Sequence, residues 1–142
     1  MANNRYLAES DNYKVTSEDE TVHLHFKNGD RKPVIIGDFW GDPECAMISR
    51  DEKYVVMAGC GLIVYLLKEP FDEYQYGGKS EGTRVNNQFA EFHRDRPDIW
   101  WTDGLHQNRL DQDFSFFRFV LTENEGDVVY RMDTRTWTIE RV

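Results

Sequence analysis

The chain has 142 residues, enough for a single domain, expected over residues 1–142, that buries about two thirds of its unfolded surface without disulfide staples. Its 39% hydrophobic and 14% aromatic residues exclude a disordered chain. With 26 acidic against 17 basic side chains, the formal net charge of -9 argues against direct contact with nucleic acid or an anionic membrane; it steers a basic partner toward the surface, although acidity also serves solubility alone.

Residues 1–7 are polar and lack the apolar stretch of a secretory signal. The longest strongly apolar run, 62–67, is far too short to span a bilayer, so a cytoplasmic protein is expected. Val22, Leu24 and Phe26 alternate with His23 and His25, and Asn28-Gly29 then suits a hairpin turn before Val34, Ile35 and Ile36. Pro33 cannot donate a ladder hydrogen bond, which puts it at the start or on the free edge of the second strand. Residues 45–49 predict a short strand, 50–53 a charged turn, and 54–58 a β-branched and aromatic strand ending at Gly59. Residues 62–67 are apolar on both alternating faces, which predicts a central strand covered on both sides and the most buried of the fold.

From residue 68 to 84 glycines, tyrosines and charges follow no period, which predicts a long loop. Val85, Phe89 and Phe92 recur at the spacing of one helical face, Thr83 could cap its start and Pro97 bars continuation, so a short helix is expected near 84–94. Strands are then expected at 99–102, 114–121, 127–132 and 136–142, with turns at Asn124-Glu125-Gly126 and Asp133-Thr134-Arg135. Short turns require an antiparallel meander and place the carboxyl terminus in a sheet. A loose strand, acidic turn, strand pattern shared by 48–65 and 116–132 is propeller-like, but 142 residues barely reach the blades that closure needs. The expected fold is mainly β: a small antiparallel sheet, sandwich or propeller-like meander with at most one or two short helices.

His23 and His25, two apart on a strand, share a face and could ligate one metal ion, yet no third ligand follows at a recognisable spacing, and two solvent-facing polar residues explain the pattern. Carboxylate pairs such as Asp38 with Asp42, or Asp111 with Asp113, and a histidine with Asp103 have the types needed for acid–base hydrolysis. Turn-forming bonds account for the aspartates of the Gly- and Pro-bounded loop without catalysis. Gly77-Gly78-Lys79-Ser80 only imitates the end of a phosphate loop, lacking its leading glycine. Cys45 and Cys60 are too few for a disulfide framework, though flanking paired strands could bring the two thiols together. The better candidates form a binding surface: Asp38, Trp40, Asp42 and Glu44 in one loop, Trp101 and Asp103 in another, where tryptophan anchors and carboxylates suit a basic protein. One of Trp100 and Trp101 should point into the core.

Residues 37–71, with the opening Gly37-Asp38-Phe39-Trp40-Gly41-Asp42-Pro43-Glu44-Cys45 and the strand turn Ala58-Gly59-Cys60-Gly61-Leu62-Ile63-Val64-Tyr65, resemble small bacterial immunity proteins of polymorphic toxin and contact-dependent growth inhibition systems. The resemblance implies a cytoplasmic, non-enzymatic protein without a cofactor that binds a cognate toxin domain, frequently a basic nuclease, and blocks its active site. Folds and toxin-facing surfaces vary in such families, so it carries over no individual residue. A small-ligand or carbohydrate-binding β domain is the alternative, followed by a small metal-dependent enzyme.

Overall fold

In the computed structural model, residues 4–76, 84–94, 98–108, 113–123 and 126–142 are described below. They form three antiparallel sheets, with no helix among them. The first is a meander in chain order: β1 (Asn4–Glu9), β2 (Tyr13–Glu18), β3 (Thr21–Phe26) and β4 (Val34–Asp38). The second comprises β5 (Cys45–Ile48), β6 (Tyr54–Gly59), β7 (Gly61–Leu66), β8 (Arg84–Val85) and β9 (Phe89–Phe92) in the order β5-β6-β7-β9-β8. The third is again a meander: β10 (Thr102–His106), β11 (Phe116–Glu123), β12 (Gly126–Asp133) and β13 (Thr138–Arg141).

The second sheet is the middle layer, because its strands are apolar on both faces. Val55 and Met57 of β6 and Ile63 and Tyr65 of β7 pack with Val15, Val22, Leu24 and Ile36 of the first sheet. Their neighbours Tyr54, Val56, Ala58, Leu62 and Val64 pack with Phe117, Phe119 and Met132 of the third. Every residue of β6 is buried, and β7, lying between β6 and β9, is buried up to its last residue. Each valine, leucine or isoleucine so removed from water contributes about 1.5–3 kcal/mol before ordering costs. The blade-like meanders therefore stack in three layers rather than closing into a ring.

Polar contacts tie the layers at their turns. Glu52 at the β5–β6 turn accepts hydrogen bonds from the Ser10 hydroxyl at 2.5 Å and from the Asn12 amide side chain at 2.7 Å, joining the first and second sheets. Thr102 holds the third sheet to the second: its Oγ1 accepts the Gly59 N–H at 3.1 Å and donates to the Gly61 carbonyl at 2.8 Å. The Tyr54 hydroxyl donates to the Phe114 carbonyl at 2.7 Å on the same side.

Two hairpins follow their sequence signals closely. Gly29 sits at φ +85° in the β3–β4 turn, and β4, just after Pro33, is an edge strand. Ser49 follows β5, and its hydroxyl accepts the N–H groups of Lys53 and Tyr54 at 2.9 and 3.1 Å, fixing the charged turn that leads into β6.

The helix expected near 84–94 is not formed; the segment is the β8–β9 hairpin. Phe89 and Phe92 belong to opposite faces of the sheet, one in each core, and Val85 is exposed. The Asn86 side chain accepts the N–H groups of Gln88 and Phe89, both at 2.8 Å, and builds the turn. Pairing with the open edge of β7, from Leu62↔Phe92 to Tyr65↔Phe89, outweighs the helical spacing. The strand expected at 99–102 also shifts, to β10, with Trp101 in an isolated bridge to Cys60. Strands β1 and β2 carry too few apolar residues to be recognised by period; only Val15 and Ser17 of β2 turn fully inward. The turn expected at Asn124-Glu125-Gly126 falls mainly outside the described residues.

Candidate functional site

The end of the first sheet, the β6–β7 turn, Ile99 and Trp101 enclose an open cleft of about 970 Å³. Its floor holds Phe39, Cys60 and Arg94, all buried, and its walls carry the exposed rings of Trp40, Tyr76 and Trp101. Glu18, Asp19, Glu20 and Asp38 also line it, with His23 and Ile35.

The backbone presents the two tryptophans rigidly. At the end of β4, Phe39 turns into the core and its N–H donates to the Glu20 carbonyl at 2.9 Å, while the Gly41 N–H donates to the Glu20 carboxylate at 2.7 Å. Trp40, between them, has no inward direction left. On the other wall, the Trp100 carbonyl accepts the Gly61 N–H at 2.6 Å and the Trp101 carbonyl accepts the Thr122 N–H at 3.1 Å. Trp100 packs into the third-sheet core and stacks on His93 with ring centroids 3.7 Å apart, so its neighbour Trp101 faces outward, as the alternation requires.

Arg94 joins these parts from below. Its Nε donates to the Cys60 carbonyl at 3.2 Å, and its terminal nitrogens donate to the Tyr74 hydroxyl at 2.6 Å, to the Glu91 carboxylate at 3.1 Å and to the Asp38 carbonyl. The guanidinium carbon lies 4.7 Å from the centroid of the Phe39 ring. The Tyr74 hydroxyl in turn donates to Glu91, and burial pushes the tyrosine well above its ordinary range, keeping it neutral. A buried ion pair with its remaining atoms hydrogen-bonded is a rigid frame for the cleft.

Of the residues singled out in the sequence, Asp38, Trp40 and Trp101 meet at this cleft. Asp42 and Glu44 are exposed on the loop that continues from Trp40 and do not line it. Asp103 lies beyond Thr102 on β10, near Cys45, and is separate from the cleft. Sequence reasoning passed over Arg94, Tyr76 and the β2–β3 turn. The run Glu18-Asp19-Glu20 could have marked that turn once β2 was recognised, and a lone arginine after a buried apolar strand could have marked Arg94.

His23 and His25 share one face of the first sheet, as expected, and line a common groove, with His23 also reaching the cleft; the Nε2 of His25 pairs with the Thr16 hydroxyl at 2.8 Å, and burial lowers its pKa. Among the described residues no group of three or more histidine, cysteine, aspartate or glutamate side chains is arranged to hold a metal ion. Asp113 pairs with Arg135 at 2.7 Å, while Asp111 and Gly77-Gly78-Lys79-Ser80 lie outside the described residues. Among the described residues the histidine–aspartate contact that forms is His93 Nδ1 to Asp98 at 2.9 Å, not one with Asp103. Cys45 packs on the third-sheet side of the middle layer and Cys60 on the first-sheet side, so the sheet separates the two thiols. Burial pushes the Cys45 thiol up, away from thiolate chemistry. Among the described residues no helix is long and apolar enough to cross a membrane.

No family model matches the chain, and comparisons with curated proteins and with solved structures find no match.

Proposed function

We propose that this chain works by binding: it is an immunity-type protein that docks on a basic toxin domain, such as a nuclease, and blocks its active site without catalysis. The observation that carries the reading is the cleft itself, where rigidly presented tryptophans stand among four carboxylates. Exposed aromatic rings supply desolvated anchors, and carboxylates supply orientation and association rate toward a cationic surface. In this reading the acidic loop continuing through Asp42 and Glu44 flanks the toxin's phosphate-binding groove, and steric overlap keeps substrate out. Protection of this kind is exercised in the cytoplasm of the producing cell.

A small-ligand or carbohydrate site is the second reading, favoured by the concavity and aromatic walls of a cleft whose 970 Å³ is within the size of such sites. Coexpression separates the two. The chain is expected to suppress the toxicity of the neighbouring reading frame's product and to copurify with it; absence of both overturns the immunity reading.

A further inference from the structure

Trp40 is 76% exposed, Trp101 50% and Tyr76 52%, and all three line one cleft. Exposing rings of that size to water is unfavourable, and for Trp40 and Trp101 it follows from backbone held on both sides rather than from a loose loop. The electrostatics of the cleft decide which group suits the two tryptophan rings. Among the described residues Arg94 is the one Lys or Arg that lines it, and its guanidinium is already matched by the Glu91 carboxylate, the Tyr74 hydroxyl and two carbonyls. The charges that the described residues leave facing the opening are then those of the lining carboxylates, Asp38 and the acidic β2–β3 turn. Negative charge beside the π faces of tryptophans selects a cation, and a planar guanidinium stacks on an indole better than an ammonium does.

We propose that this cleft is a socket for an arginine side chain projecting from the protein partner, with Trp40 and Trp101 offering stacking faces and Asp38 the counter-charge. The inference deepens the proposed function and rests on it for the identity of the partner. An arginine entering the cleft loses its water on the aromatic walls and keeps its charge balanced at the carboxylates. Because the walls are already fixed, ordering costs fall mainly on the incoming side chain.

Titration of the intact, ¹⁵N-labelled chain with the peptide Gly-Arg-Gly tests the socket, using the indole N–H signals of the four tryptophans. Signals of Trp40 and Trp101, assigned by their loss in Trp40→Ala and Trp101→Ala, are expected to shift with the peptide, while those of Trp100 and Trp137 stay in place. A citrulline peptide, which keeps the shape and loses the charge, is expected to bind about tenfold more weakly, a lysine peptide about threefold more weakly, and Asp38→Asn to weaken the arginine peptide about threefold. Equal response to arginine and citrulline, or no shift of Trp40 and Trp101 at millimolar peptide, overturns the socket. Coexpression reads the partner separately: protection without a peptide response removes the socket and leaves partner binding standing, whereas a peptide response without protection supports the socket and removes the toxin as its occupant.

Discussion

Two residues show how local geometry supports the cleft and the stack. Gly61 begins β7 at φ +76°, a conformation costly for any residue with a side chain, and an added Cβ would press on Arg94 and lie 2.6 Å from the Phe92 carbonyl. Gly61→Ala is expected to cost about 2–4 kcal/mol, read as a lower urea midpoint with unchanged slope. Glu52 carries a pH signature. The Ser10 hydroxyl, then Asn12, holds its carboxyl below the ordinary 4.5, so the folded chain binds its proton less readily than the unfolded chain does. The resulting stability is complete above that value and disappears as pH falls through the lowered one. Glu52→Gln should therefore unfold more easily than the parent chain at pH 7, with the gap closing on acidification toward pH 3; a gap constant with pH in urea titrations contradicts this role.

At the scale of elements, the β8–β9 hairpin shows which part of the fold was legible and why the rest was not. The β-branched and aromatic run 54–58 and the run 62–67 marked both strands, and the second its two-sided burial, since residues such as Ile63 and Val64 are apolar whichever way they face. The spacing of Val85, Phe89 and Phe92 fits a helix equally well by period, and only the vacant edge of β7 decides for strands. The two conformations make opposite predictions for Asn86→Ala. In a helix the substitution would be neutral or stabilising. In the hairpin it leaves the N–H groups of buried Gln88 and Phe89 without their acceptor and is expected to cost about 1–2 kcal/mol by chemical denaturation. The polar strands β1 and β2 escaped sequence reading for a related reason. Their place comes from pairing and from the Glu52 tie, not from an apolar period of their own.

At the scale of the molecule, the proposed function has the formal charge of -9 and the carboxylates of the cleft act together on the approach of a basic partner. Association with a basic toxin domain is expected to slow about tenfold or more as salt rises from roughly 0.05 to 0.5 M, with little change in dissociation rate, measured by stopped-flow; a salt-insensitive association rate contradicts electrostatic steering. The amino-acid sequence by itself determined the β class, the central hairpin of β6 and β7, the outward direction of one tryptophan in the pair Trp100-Trp101, and the acidic character of the surface. These depend on period, turn chemistry and composition, which are local or additive. Only the tertiary structure decided that Asp38, Trp40 and Trp101 share a cleft, that Asp42, Glu44 and Asp103 stand outside it, and that Arg94 joins its walls. Such proximity arises where sheet edges and turns from distant parts of the chain meet, and no local periodicity records which turns those are.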